Sequence, residues 1–453
     1  MAVTRDLART CARSLFLSVL VASVLCSLVL ACQAPIAEAP PESAAAESAQ
    51  LVVMGGTIVT FDPAGRVIED GAVAIEDGRI AAVGPAAEIE GAYPEARRID
   101  AKGGLILPGL INAHTHAPMV FFRGLADDLE LMKWLEEVVF PAEAEHVDEE
   151  LVRWGTRLAC LEMLRGGITT FVDMYYFDDT IAEEAERCGM RAVVGETLID
   201  FPAPDNKSWE EAIEYTRSFV ERWRGHPRIT PAVAPHSLYT VSTEHWTEAH
   251  ALAEELDVPL LTHLAEGQAE IELLARRGVG VAHCPQSNMK IAAGVAPVPA
   301  MIAAGVAVGI GTDGAGSNND LNLWEEIDTA AKLHKLESGD PTVLPARQAL
   351  GMATIEGARA LNMEDEIGSL EVGKRADMIV VATDSLHQQP QDPAANPYSF
   401  LVYSTKASDV RTVIIEGRVV VDNGQVLTLD TAEVLERAAH YRAILTGPRD
   451  EPR

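Results

Sequence analysis

Seven short apolar runs in the middle of this chain, most of them closing on a polar or ionisable residue, limit its architecture more than any other feature. They are "GLINAHTH", "ITTFVDMY", "RAVVGETLI", "ITPAVAPH", "VPLLTH", "GVGVAHCP" and "VAVGIGTDG". Helix-like stretches separate them, so the segment from about Pro108 to Asn362 reads as successive β/α units around a parallel sheet. If such a sheet closes into a (β/α)₈ barrel, the C-terminal strand ends build the active site. Closure would gather these polar strand ends on one face.

Both ends of the chain have a different texture. "LVVMGGTIVTFD", "GAVAIEDGRIAAVG", "ADMIVVAT" and "VRTVIIEGRVVVDNGQVLTLD" are short apolar or alternating runs broken by Gly and Asp. They predict one small β-sandwich built from residues 51–107 and 366–430, enclosing a barrel at 108–365. Residues 431–453 are left as a C-terminal helix or tail. The 453 residues carry 68 acidic and 36 basic side chains, a net charge of −32. That balance argues against nucleic acid as a partner, because phosphate contact needs stripes of Lys and Arg.

The first residues are a separate object. Arg5, Arg9 and Arg13 precede an uncharged run from Ser14 to Ala31. A basic region before an apolar one has the form of an export signal. The run ends "LVLAC", which resembles a bacterial lipobox with Cys32 as the lipidated residue; an uncleaved anchor helix is the alternative. Either way the chain is expected to be exported and membrane-tethered, in the periplasm or at the cell surface. Residues 33–50, rich in Ala, Pro, Glu and Ser, would be a flexible tether. Beyond this region only Cys160, Cys188 and Cys284 remain, which is no disulfide framework.

The strand ends carry metal-site chemistry. His114 and His116 lie two apart at the end of the first strand, so both imidazoles aim to one side. His236, His263 and His283 end later strands and Asp313 ends the last. Neutral imidazoles plus a carboxylate suit a catalytic Zn²⁺ or similar ion with one position left for water. Spacing alone leaves open which of His236, His263 and His283 completes the shell.

The stretches "PGLINAHTHAPMVFFRGLADDLELMKWLEEVVFPAE", "HLAE", "VAHCPQSNMKIAAGVAPVP" and "GTDGAGSNNDLNLWEE" resemble the amidohydrolase superfamily. Within it they are most similar to the 5′-methylthioadenosine/S-adenosylhomocysteine deaminases, neighbours of the s-triazine chlorohydrolases. The resemblance covers about Leu51 to Asp430. It implies a metal-dependent (β/α)₈ barrel with a small β-sandwich and assigns one divalent ion, zinc or iron(II), to His114, His116, His263 and Asp313. No lysine stands at the fourth strand end to bridge a second ion. The resemblance makes Glu266 the proton shuttle, Glu143 a contact to the ribose hydroxyls, His236 a substrate contact and Trp134 a wall of the base pocket. Core packing for Trp134 and a solvated or capping role for Glu143 are the plainer alternatives. The implied reaction is hydrolytic deamination at C6 of an adenine nucleoside: Asp313 takes a proton from water, Glu266 protonates N1, and ammonia leaves. The chain's partner would be that small molecule, and a homo-oligomer is compatible with the reading.

One interval departs from the family. The strand-end markers His236, His263, His283 and Asp313 are separated by 27, 20 and 30 residues. Twenty residues hold one β/α step, whereas the family's barrel has two there, the extra one ending in a histidine that orients the attacking hydroxide. A unit is therefore expected to be deleted near Gly267 to Ile271, with His283 at the next strand end as a tentative catalytic substitute. Three outcomes stand open: an imperfect but active barrel, an inactive tethered binding protein, or a poorly folding truncation. Another amidohydrolase activity, on s-triazine, guanine or amide-like substrates, is the alternative enzyme reading.

Overall fold

The computed structural model describes residues 50–125, 127–129, 133–264 and 268–446. The predicted signal region and Cys32 lie outside these residues, as does Glu266. Among the described residues, no helix is long and apolar enough to cross a membrane.

The N-terminal strands are β1 (Leu51–Val59), β2 (Val67–Glu76), β3 (Arg79–Pro85), β4 (Arg97–Asp100) and β5 (Leu105–Pro108). The strands of the middle are β6 (Leu110–Thr115), β7 (Ile168–Tyr175), β8 (Arg191–Leu198), β9 (Ile229–Pro235), β10 (Val281–His283) and β11 (Val308–Ile310). The C-terminal strands are β12 (Met378–Val381), β13 (Val410–Ile415), β14 (Arg418–Asp422) and β15 (Gln425–Val426), followed by a helix at Thr431–Thr446.

Both chain ends enter one hydrogen-bonded sheet, in the order β15-β14-β13-β12-β5-β1-β2-β3, with β4 beside β1. The antiparallel pairing of β5 with β12, Ile106 opposite Val380, joins the two ends. Side chains alternate across a strand, and the alternation sorts them into two cores. Ile106, Met378, Val380 and Ile414 pack with Leu51, Val53, Val73 and Ile75 in a core internal to the sheet. Leu105, Leu107, Ile379, Val381, Val413 and Ile415 face the other way, into the main core of the molecule.

The middle of the chain builds a parallel sheet of four strands, β6-β7-β8-β9, and a parallel pair, β10-β11. All eight residues of β7 and all eight of β8 are buried, as expected of parallel strands covered on both faces. "VPLLTH" behaves differently. It makes a single parallel bridge, Leu260 with Val233 of β9. Leu260 to His263 are only half-buried. The reason is that its other edge has no strand beside it among the described residues. A cavity of about 550 Å³ borders Leu260, lined among others by Val193 of β8, Thr230 of β9, Ala253, Leu361 and Met363. The twenty-residue interval supplies one helix, Gln268–Arg277, before β10 begins.

On its far side, β11 runs back to β6. The Thr312 backbone N–H donates to Asn112 Oδ1 (3.1 Å), and Asn112 Nδ2 donates to Thr312 Oγ1 (2.8 Å). The N–H groups of Thr312 and Asp313 both donate to the His114 carbonyl at 3.1 Å. This approach requires a glycine at Gly311, where a Cβ would lie 2.9 Å from the backbone N and O of His114.

Gly311→Ala should therefore cost about 1–3 kcal/mol and loosen the strand end that carries His114. Gly278→Ala, at φ +65° with open space around it, should cost only about 1–2 kcal/mol of backbone strain. Urea unfolding of the two variants beside the parent, with loss of metal affinity in Gly311→Ala alone, checks the difference.

Candidate metal centre and its surroundings

Three of the imidazoles converge. One ligand atom each from His114, His116 and His263 lies within 4.8 Å of the others. Asp313 Oδ1 stands 3.6 Å from His114 Nε2 and 3.4 Å from His116 Nε2. His116 Nε2 and His263 Nε2 are 3.2 Å apart. Ligands held 2.0–2.1 Å from a tetrahedral ion sit about 3.4 Å from one another, so these separations fit one ion.

The tautomers make the case stronger. His116 Nδ1 donates to the Met174 carbonyl (2.5 Å), and His263 Nδ1 donates to the His236 carbonyl (2.9 Å). A carbonyl oxygen only accepts, so both Nδ1 atoms carry the hydrogen and both Nε2 atoms carry lone pairs. Burial keeps both rings neutral: it pushes His116 down to about 4, with His114 adding to the effect, and His263 well below the usual histidine range. Two lone pairs facing each other at 3.2 Å repel unless a cation lies between them. The residues present therefore fit a divalent ion.

Asp313 is strained into place. Its φ of +60° is left-handed, a conformation that non-glycine residues adopt chiefly where the surroundings impose it. Thr115 Oγ1 (3.1 Å) and Thr312 Oγ1 (3.0 Å) hold its carbonyl. Burial would raise its carboxyl, but the adjacent His114 and His116, together with a hydrogen bond from Ser287, hold it well below the usual carboxylate range.

Glu143 lies on the helix Phe140–His146, 5% exposed, and accepts a 2.8 Å hydrogen bond from Tyr175 Oη at the end of β7. The Tyr175 ring is 6.2 Å from that of His116, so Glu143 borders the metal cluster. Burial lifts its carboxyl to about 7, against the lowering effect of Tyr175. Trp134, in the π-helical turn Trp134–Val139, packs over Gly316 just after Asp313. Its indole also belongs to the main hydrophobic core. The His236 ring is 4.7 Å from that of His263, and its Nδ1 meets Thr240 Oγ1 at 2.8 Å. Burial, then the nearby His116 and His114, push it down to about 3.

His283 is not brought to this cluster. It is buried, and its Nε2 lies 3.2 Å from Nε2 of His334 on the helix Leu323–Ser338. Lys207 is the one basic residue in "DFPAPDNKSWEE", the stretch where a partner for a homocysteine carboxylate would be sought, and its Nζ donates to the carbonyls of Ala203 (2.6 Å) and Pro204 (2.8 Å). Three contributors carried no sequence signal of their own. Asp173 Oδ2 accepts from the Ala117 N–H (2.6 Å) and pins the turn that follows His116. Ser287 and Ser317 both hydrogen-bond Asp313.

The family model described as "Amidohydrolase family" matches residues 105–274 and 268–420, two pieces that meet at 268–274. A 5-methylthioadenosine/S-adenosylhomocysteine deaminase of Syntrophobacter fumaroxidans is 46% identical over 430 residues, covering 86% of this chain and 97% of that protein. The deaminase 1 of Syntrophus aciditrophicus is 42% identical over 444 residues, covering 90% and 100%. A zinc-bound adenosine deaminase of Xanthomonas campestris superposes with a TM-score of 0.85 at 37% identity, covering 88% of this chain and 99% of that one. The first of these alignments runs over 430 positions, yet 86% of 453 residues is about 390. About 40 of its positions have no counterpart here, close to the ~31 residues of one unit in a 250-residue, eight-unit barrel.

The Glu143 carboxyl gives a pH test. With its folded value near 7 against 4.5 unfolded, the folded chain binds the proton more tightly. Stability is then lost as pH rises from 4.5 through 7, by on the order of 3 kcal/mol. Glu143→Gln removes this loss. Metal-free parent and variant should unfold at similar urea concentrations at pH 4.5, and the variant should be the more stable at pH 8.

Proposed function

The chain belongs to the amidohydrolase family, and from that premise we propose that it is a metal-dependent hydrolytic deaminase of adenine nucleosides. The carrying observation is the group His114, His116, His263 and Asp313, with two inward lone pairs 3.2 Å apart. The names of its relatives support the substrate class. We take the ion to be a single Zn²⁺, as in the Xanthomonas campestris structure. Held by these four residues, it would lower the pKa of a water so that hydroxide is at hand near neutral pH.

The chain's own residues supply the rest. Asp313 is kept ionised and can take a proton from the attacking water. His236, neutral and fixed at Nδ1, presents Nε2 as a polar contact to substrate. Glu143, fixed through Oε1 by Tyr175, offers its other oxygen to the ribose hydroxyls, and Trp134 lines the base pocket. Glu266, three residues after His263, is assigned the proton transfer to N1 from its place in the sequence. Because Lys207 is committed to backbone carbonyls, nucleosides with a neutral 5′ substituent should be preferred over S-adenosylhomocysteine, whose tail carries a carboxylate.

Four observations favour a second reading. The lone bridge at Leu260, the cavity beside it, the meeting of the family matches at 268–274 and the ~40 unmatched positions all support a barrel lacking one β/α unit. His283, turned to His334, does not replace the histidine that unit would bring. On this reading the chain binds metal and nucleoside but turns over slowly. The sheet made by both chain ends is read as the small β-sandwich beside the barrel. Export and tethering through Cys32 rest on the basic and apolar pattern of residues 5–32.

The test uses the full chain in mild detergent. One zinc per chain and ammonia release from methylthioadenosine are expected, with kcat/KM at least about tenfold above that for S-adenosylhomocysteine. Glu266→Gln should lower kcat by about 10²–10⁴-fold. Absence of both metal and turnover sinks the enzyme reading. Zinc binding with turnover that rises only when the Syntrophobacter fumaroxidans unit is inserted after Glu266 selects the second.

A further inference from the structure

Asp313 has two oxygens with different surroundings. Oδ1 faces the imidazoles and also accepts from the Gly314 N–H at 2.8 Å. Oδ2 is held by two hydroxyls, Ser287 Oγ and Ser317 Oγ, each at 2.7 Å. The serines come from separate elements: Ser287 from the helix Pro285–Lys290 after β10, Ser317 from the turn Ala315–Asn318 after β11. They are 1% and 3% exposed. Ser317 Oγ has a second neighbour, the Gly314 carbonyl at 3.1 Å, but the shorter contact is to the carboxylate.

We propose that Ser287 and Ser317 are positioning residues that hold Asp313 as a one-oxygen ligand and so keep a coordination position open for water. The role rests on the metal centre inferred above. A carboxylate oxygen accepts through two lone pairs, and both on Oδ2 are used. Turning Oδ2 toward the ion would break two hydrogen bonds, leaving the buried Ser287 hydroxyl without its acceptor and Ser317 with only the longer contact to the Gly314 carbonyl. Without the serines the carboxylate is free to rotate and bind through both oxygens, which fills the position that the reaction needs.

Metal affinity and spectroscopy test this without relying on turnover. Ser287→Ala, Ser317→Ala and the double variant are made in the full chain. Zinc affinity is measured by competition with a chromogenic chelator, and the visible absorption of the cobalt(II)-loaded proteins is recorded. Each single variant should bind zinc about 10-fold more weakly, and the double variant up to about 100-fold. The cobalt bands should weaken as the coordination number rises, beyond any change in the unfolding midpoint of the metal-free protein. Parental affinity and an unchanged cobalt spectrum in the double variant overturn the proposal. So does a lowered metal-free midpoint with affinity intact, which marks the pair as structural. Should the double variant fail to fold, the single variants carry the test. A parental chain without zinc affinity overturns the metal centre and this role together.

Discussion

Everything at the centre depends on β11 reaching the end of β6. Two backbone N–H groups, those of Thr312 and Asp313, converge on the His114 carbonyl. That contact joins the first strand of the four-stranded parallel sheet to the last strand of the β10-β11 pair and fixes the left-handed turn at Asp313. It also sets the distance between a carboxylate and two imidazoles that lie about 200 residues apart in sequence. A side chain at Gly311 would keep the strands from closing. The asparagine–threonine pair behind it, Asn112 and Thr312, is fully buried and bonded in both directions. An unpaired polar group there would cost about 1–3 kcal/mol, so the register has little freedom.

The opposite side of the sheet lacks such a lock. Leu260 to His263 lean on β9 alone, and no strand flanks their other edge among the described residues. Each member of the candidate ligand group is oriented by residues outside the His263–β10 interval. His263 is steered by the carbonyl of His236, His116 by the carbonyl of Met174, and Asp313 by its own turn. None of these supports comes from the interval between His263 and β10. What the interval would contribute is a wall and a further polar group facing the substrate. The convergence of these side chains therefore does not depend on what the interval holds.

The legible parts of the sequence were those in which a local rule has a single outcome. Two histidines two residues apart at a strand end face one way, and Asp313 stands out because "GIGTD" ends an apolar run at the right distance. The expected shortfall of one step rests on counting alone, since a β/α step cannot be compressed into a few residues. Direction across space was not legible. His283 ends an apolar strand just as His263 does, yet its ring meets His334, 51 residues further on, because the helix Leu323–Ser338 packs against β10 and presents a second buried imidazole. Ser287 and Ser317 read as loop serines until the carboxylate between them was placed. Glu266 lies outside the described residues, so its role stays with the sequence.

The distribution of charge around the centre follows from the same geometry. The chain carries a net charge of −32, but burial neutralises the carboxyls nearest the site. It lifts Glu143 to about 7 and Asp173 to about 8, each against a single opposing hydrogen bond. Asp313 is also buried, yet its imidazole neighbours, serine hydroxyls and a backbone N–H keep it ionised. Donor count separates the three. Where one donor opposes burial, the carboxyl is pushed up toward neutral pH or above; where several donors and nearby imidazoles do, it is held well below the usual carboxylate range. With His116 and His263 kept neutral by burial, a divalent ion held by this group would meet one anionic ligand, Asp313, and would retain positive charge to bind a hydroxide. Carboxylates with well-separated pKa values are how one pocket assigns ligand and acid roles at neutral pH. Here the separation is set by which carboxylate the closure of β11 on β6 surrounds with donors.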